Sequence, residues 1–184
     1  MLILIIEDNK GDYILLRELL GKNDANFDLL WAQSLKEGLE IIQKQKIDVV
    51  LLDMGLPDSL GLKTVEKVRS AGNNFSIVVV TGNTDEQTGI ESVKHGADDY
   101  LVKGDFSSRL LHKSIRYSIE RRRYATEIKE REELLERFLN AATDGFAVFD
   151  DQLNVLKANP AALSSWNLTR SEERRVGKEC ATGC

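Results

Sequence analysis

The chain has 184 residues, with 30 acidic and 25 basic side chains, a formal net charge of -5 and 42% hydrophobic residues. That is the balance of a globular protein with room for one ordinary domain and a remainder; it speaks against disorder and against nucleic-acid binding through bulk charge, and no direct nucleic-acid or membrane contact is expected. Cysteines only at 180 and 184 exclude a disulfide framework for the body, His95 and His112 alone exclude a His-rich metal centre, and the apolar run Leu2 to Ile6 is too short for a signal core or a membrane span, so the start of the chain reads as cytoplasmic.

Leu2 to Ile6 is continuous, aliphatic and without polar alternation, which predicts a strand covered on both faces. Asp12 to Leu20 follows as a helix with apolar residues at 15, 16, 19 and 20. Phe27 to Ala32 is a weaker strand signal. Ser34 then opens a helix over Leu35 to Gln43, with Glu37 completing a capping box. Ile47 to Leu52, ending at Asp53, is the next strand, and Leu62, Val65 and Val68 mark the next helix. Ser76 to Val80 runs into Thr81-Gly82. Asp85 to Lys94 is helical until Gly96, and Asp99 to Val102 runs into Lys103-Gly104. The alternation predicts an α/β protein with a parallel sheet and helices on both faces. Right-handed crossovers favour the five-stranded, doubly wound, flavodoxin-like order 2-1-3-4-5.

From Ser107 to about Asn140 there is neither proline nor glycine, and one long helix is expected. Tyr124, Ile128, Arg131, Leu135 and Phe138 alternate at spacings of four and three, a heptad seam with Arg131 as its flaw. Two readings stand: a solvated amphipathic helix on its own domain, or a two-stranded coiled coil giving a homodimer through the last helix of the first domain and the linker. Beyond Phe138 two short strands, Gly145 to Asp150 and Asn154 to Ala158, precede a helix opened by Pro160.

Open parallel sheets gather functional groups at the carboxyl ends of their strands. Here those ends carry Glu7 and Asp8, Asp53, Thr81 and Lys103. Each alone has a plainer explanation: an acidic pair starting a helix, a turn aspartate before Pro57, a capping threonine, a strand-exit lysine. Together they define a site. Carboxylates a few Å apart repel and need compensating positive charge. Lys103 supplies one charge, and an all-oxygen donor set favours Mg²⁺ for the rest. An anionic group on Asp53 would then meet the metal, the Lys103 ammonium and the Thr81 hydroxyl, an arrangement suited to phosphoryl transfer onto a carboxylate. A phosphate-ester hydrolase would want a second carboxylate two residues after Asp53, where Gly55 stands. Neither histidine has the setting of a phosphoaccepting histidine, and no ATP-binding glycine box is present, so the chain is not a complete kinase. Trp31 and Trp166 are both expected to lie far from the site.

Residues 1 to 122 resemble the receiver domain of bacterial two-component response regulators. The resemblance rests on the run Leu2 to Asn9, on Leu51-Leu52-Asp53-Met54-Gly55-Leu56-Pro57-Asp58, on Val80-Thr81-Gly82 and on Tyr100-Leu101-Val102-Lys103-Gly104. It implies that Asp53 is the phosphoacceptor and that Glu7 and Asp8 hold Mg²⁺, Asp8 more directly, with the Gly55 main-chain carbonyl as a further ligand. It also implies that Lys103 pairs with the phosphoryl group and that Thr81 and Tyr100 form a switch pair. The partner would be a sensor histidine kinase or phosphotransfer protein, and the chain's own chemistry would end at phosphotransfer and slow self-hydrolysis. The alternative is an interaction module of the same fold that is never phosphorylated. Residues 123 to 137 read as a helical linker. Residues 138 to 184 resemble the truncated start of a PAS domain, carried by Phe138 to Asp150 and Ala158-Asn159-Pro160-Ala161-Ala162, with a tail over 171 to 184 that fits no motif.

Overall fold

The computed structural model describes residues 1–21, 27–82 and 86–165. Asp85, Trp166 and the tail with both cysteines lie outside the described residues. The elements are β1 (Leu2–Ile6), α1 (Lys10–Gly21), β2 (Asp28–Ala32), α2 (Leu35–Lys44), β3 (Val49–Asp53), α3 (Leu62–Ser70), β4 (Ser76–Thr81), α4 (Glu86–Lys94), β5 (Asp99–Val102), α5 (Ser108–Ala141), β6 (Ala147–Phe149), β7 (Val155–Ala158) and α6 (Pro160–Ser165). A small antiparallel pair, Gly55–Leu56 with Ser59–Leu60, sits between β3 and α3. The chain divides into two compact units, Met1–Thr126 and Glu127–Cys184.

In the first unit β1 to β5 form a parallel five-stranded sheet in the order β2-β1-β3-β4-β5, the expected flavodoxin-like arrangement. Successive strand residues point to opposite faces, so each strand feeds two cores. Leu4, Ile6, Val50, Leu52, Ile77 and Val79 pack with Leu35 of α2 and with Val65 and Val68 of α3. Ile3, Ile5, Val49, Leu51, Val78 and Val80 pack with Leu16 and Leu20 of α1 and with Leu111 and Ile115 of α5. Burial on both faces is why these strands read as unbroken apolar runs.

Helix boundaries have local causes. α1 begins two residues before the expected Asp12, because Asn9 accepts the Gly11 amide through its side chain and the Tyr13 amide through its carbonyl. At α2 the Ser34 hydroxyl accepts the Glu37 amide at 3.2 Å, one half of the expected capping box. In the other half, Glu37 reaches back to the Gln33 amide instead of that of Ser34. The two remaining first-turn amides, Leu35 and Lys36, donate at 2.8 and 2.9 Å to Asp58, which comes from the hairpin after β3. Burial alone would raise the Asp58 carboxyl; the Lys36 and Leu35 amides outweigh it and hold the group below its ordinary value. Past α4 the backbone turns at Gly96, whose φ of +108° suits glycine.

The second unit is small. β6 and β7 form an antiparallel pair, and Ala162 and Leu163 of α6 pack on Ala158, Ala147 and Val155. Its polar centre is Asn159, 3% exposed. The Asn159 side chain accepts the Phe146 and Ala162 amides at 2.8 and 3.0 Å and donates to the Leu139 and Asp144 carbonyls, both at 2.9 Å. All of its amide valences are used, as a buried asparagine requires.

Candidate functional site

The strand register brings the site together. Ile6 of β1 stands opposite Leu52 of β3, Asp53 opposite Val80 of β4, and Thr81 opposite Val102 of β5. The strands therefore stop nearly level, and Glu7, Asp53, Thr81 and Lys103 emerge side by side. One carboxylate oxygen from each of Glu7, Asp8 and Asp53 lies within 4.8 Å of the others.

Lys103 ties the group together. Its Nζ lies 2.8 Å from Glu7 Oε2, 2.8 Å from Asp12 Oδ2 and 3.1 Å from Asp53 Oδ1. Burial would pull the Lys103 pKa down, but hydrogen bonds to Asp12 and Glu7 and the charges of Asp53 and Glu7 push it well above the usual lysine value. Glu7 is nearly inaccessible, at 1% exposure. Burial is the main cause that raises its pKa, and the Lys103 hydrogen bond offsets only part of it. The other Glu7 oxygen accepts the Asn9 amide at 3.1 Å. Asp8 is exposed. Asp53 is buried, and its Oδ2 accepts the Gly55 amide at 2.9 Å. A Cβ on Gly55 would stand 3.1 Å from that oxygen, so the absent side chain keeps the approach to Asp53 open. Thr81 is buried at the end of β4, with its hydroxyl 3.5 Å from the Gly82 carbonyl, at the outer limit of a hydrogen bond. Tyr100 is half-buried beside the α2/α3 core and lies against Gly89 of α4.

Two findings depart from the sequence expectations. Asp12 belongs to the site, whereas the sequence offered it only as a helix-start residue; its signal was its place four residues after Asp8, in the first turn of α1. Trp31 is not remote. Its indole donates to the Glu7 carbonyl at 2.7 Å and stacks on Tyr13 with ring centroids 4.3 Å apart. The physical reason is strand adjacency: β2 pairs with β1, Ile5 opposite Trp31, so the β2 side chains near its end reach the acidic corner. Both histidines have protein partners, His95 in Glu66 at 2.6 Å and His112 in the Leu20 carbonyl at 3.1 Å. A groove of about 890 Å³ against α5 is lined by residues that include Phe27, His112 and Tyr117 and carries no carboxylate among the described residues.

The acidic corner fits a hard divalent cation. Its donors are all oxygens, and among the described residues the carboxylates of Glu7, Asp8, Asp12 and Asp53 gather with one lysine, so negative charge is left over.

Residues 3–116 match the family described as the response regulator receiver domain. The chain belongs to this family. Receiver domains serve phosphorelay signal transduction and are not kinases. Regulatory protein VanR of Enterococcus faecium is 35% identical over 100 residues, 54% of this chain and 42% of that regulator. The transcriptional regulatory protein KdpE of Staphylococcus aureus is 37% identical over 101 residues, 55% of this chain and 42% of KdpE. The chain thus spans less than half the length of these two regulators. Among solved structures, a receiver domain protein from Clostridium thermocellum superposes with a TM-score of 0.59 at 28% identity, covering 67% of this chain and 98% of the other. Among the described residues no helix is long and apolar enough to cross a membrane.

Proposed function

We propose that Asp53 accepts a phosphoryl group from a phosphohistidine on a sensor kinase or phosphotransfer protein. The bond from phosphorus to the histidine nitrogen breaks as the bond to an Asp53 oxygen forms, and the electron pair leaves with the imidazole. The observation that carries this reading is the setting of Asp53: one oxygen beside the Lys103 ammonium, the other on the Gly55 amide, and Glu7 and Asp8 alongside. Glu7, Asp8, Asp53 and the Gly55 carbonyl would hold Mg²⁺, which when bound neutralises charge on the phosphoryl oxygens. Lys103 contributes further positive charge at the transferring group. Thr81 and Tyr100 would act as the switch pair, the Thr81 hydroxyl moving to the new acceptor and the Tyr100 ring following. The open space at Gly55 admits water, so the acyl phosphate would be short-lived.

The organisation in this reading is a receiver domain over residues 1–122, a helical linker over 123–137 and a PAS-like segment over 138–184. The β6-β7-α6 arrangement closed by Asn159 supports the last. The heptad seam from Tyr124 to Phe138 supports a homodimer, with Tyr124, Ile128, Leu135 and Phe138 all exposed in the single chain. The place of action is the cytoplasm, where a phosphohistidine donor draws on ATP.

Incubation with a small-molecule phosphodonor in Mg²⁺, read as a mobility shift on a phosphate-affinity gel, tests the assignment. The parent chain is expected to shift and Asp53→Asn to stay unshifted. An equal shift in the variant overturns the role of Asp53. A parent that never shifts favours the interaction module that is not phosphorylated.

A further inference from the structure

An ammonium group has three N–H donors. Two of those on Lys103 bond Glu7 and Asp12 at 2.8 Å, and the nitrogen forms an ion pair with Asp53 at 3.1 Å. A phosphoryl group on Asp53 brings three further acceptor oxygens to the same place, and to take more than the one remaining N–H of Lys103 it displaces a partner. Glu7 is poorly placed to yield: its side chain is 2% exposed and its second oxygen holds the Asn9 amide. Asp53 carries the incoming group itself. Asp12 is the partner with water at hand, its side chain 36% exposed in the first turn of α1, where the positive end of the helix still favours its charge once Lys103 has left.

We propose that Asp12 is a positioning residue that competes with the phosphoryl group for Lys103. It holds the ammonium over the acidic corner before transfer and gives it up when the phosphoryl oxygens arrive. Its strength as a competitor sets how firmly the phosphorylated form is held. The inference rests on Asp53 being the phosphoacceptor.

Beryllium fluoride, which mimics a phosphoryl group on a carboxylate, provides the test without turnover. The full chain is titrated by calorimetry in saturating Mg²⁺. Asp12→Asn is expected to bind the mimic roughly three- to tenfold more tightly than the parent, the scale of one partly exposed ion pair. Asp12→Glu is expected to stay near the parent. In a Lys103→Gln background the gain from Asp12→Asn is expected to shrink below about twofold, since a cycle of this kind isolates the term that passes through Lys103. Unchanged or weaker affinity in Asp12→Asn overturns the proposal, and so does a gain of the same size with and without Lys103, which would mark a bulk-charge effect. A parent that binds while Asp12→Asn matches it sinks this inference alone. A parent that binds no mimic at all sinks the phosphoacceptor reading together with it.

Discussion

Where the strands begin, Asp98 receives Arg69 at 2.8 Å, Arg122 at 2.9 Å and the Ile77 amide at 2.8 Å. Where the same strands end, Lys103 is the one cation among the described residues paired with Glu7, Asp12 and Asp53, with Asp8 close by. The first cluster is largely buried and the second is buried at Glu7 and Asp53, and both join residues distant in sequence. Their accounts differ. The first sets one carboxylate against two guanidiniums, and Arg69 also donates to the Gly96 and Phe75 carbonyls. Burial is the main cause that lowers the Arg69 pKa to about 10, although Asp98 pulls it up, so it stays charged at neutral pH. The second leaves carboxylates in excess. The first leaves a positive charge over among side chains that main-chain carbonyls also hold, and it fastens elements together; one with carboxylates left over waits for a cation. Bond length alone would not separate the two; the sign of the charge left over does.

Substitution of one acid at each end should expose the contrast. The largest effect is expected for Asp98→Ala, which strips both guanidiniums and the Ile77 amide of their common acceptor. Breaking a buried pair in this way costs about 3–5 kcal/mol, to be read as a fall in the urea midpoint, with labelling of Asp53 retained in the folded fraction. Glu7→Gln should behave differently. The raised pKa of Glu7 means that its ionisation is disfavoured in the fold, a penalty absent below the unfolded value and present at neutral pH. Its removal offsets the lost Lys103 bond, so stability in metal-free buffer should stay within about 1 kcal/mol of the parent. Mg²⁺ affinity should fall about tenfold, followed through the fluorescence of Trp31 beside Glu7. A Glu7→Gln chain as unstable as Asp98→Ala would erase the distinction. The smallest effect belongs to Asp58→Asn. The depressed Asp58 pKa contributes stability above the unfolded carboxyl value and loses it as pH falls through the folded one. The variant should be about 0.5–1 kcal/mol less stable at pH 7 and equal to the parent in acid, in denaturant series at both pH values.

The sheet was legible in the sequence because β1, β3 and β4 are covered on both faces and therefore continuously apolar. β2 gave a weaker signal: Leu29, Leu30 and Trp31 are only half-buried along this edge. Residues at strand ends could be grouped because a parallel sheet aligns them without side-chain detail. Asp12 escaped, since a helix-start acid is sufficiently explained by the helix dipole, and only the reach of Lys103 reveals its second role. Trp31 was misplaced although the strand order had already put β2 beside β1; the reach of an indole along the edge is not written in that order. The start of α2 was half legible. Ser34 and Glu37 are neighbours in the chain, whereas Asp58 arrives from another loop.

The Tyr100 ring occupies the space where a Cβ on Gly89 would project. Helix α4 thus rests on this aromatic through bare backbone, and the ring's seat is carved out by a missing methyl. One carbon added at position 89 would act as a doorstop, levering the phenol from its berth while leaving the acidic corner chemically untouched.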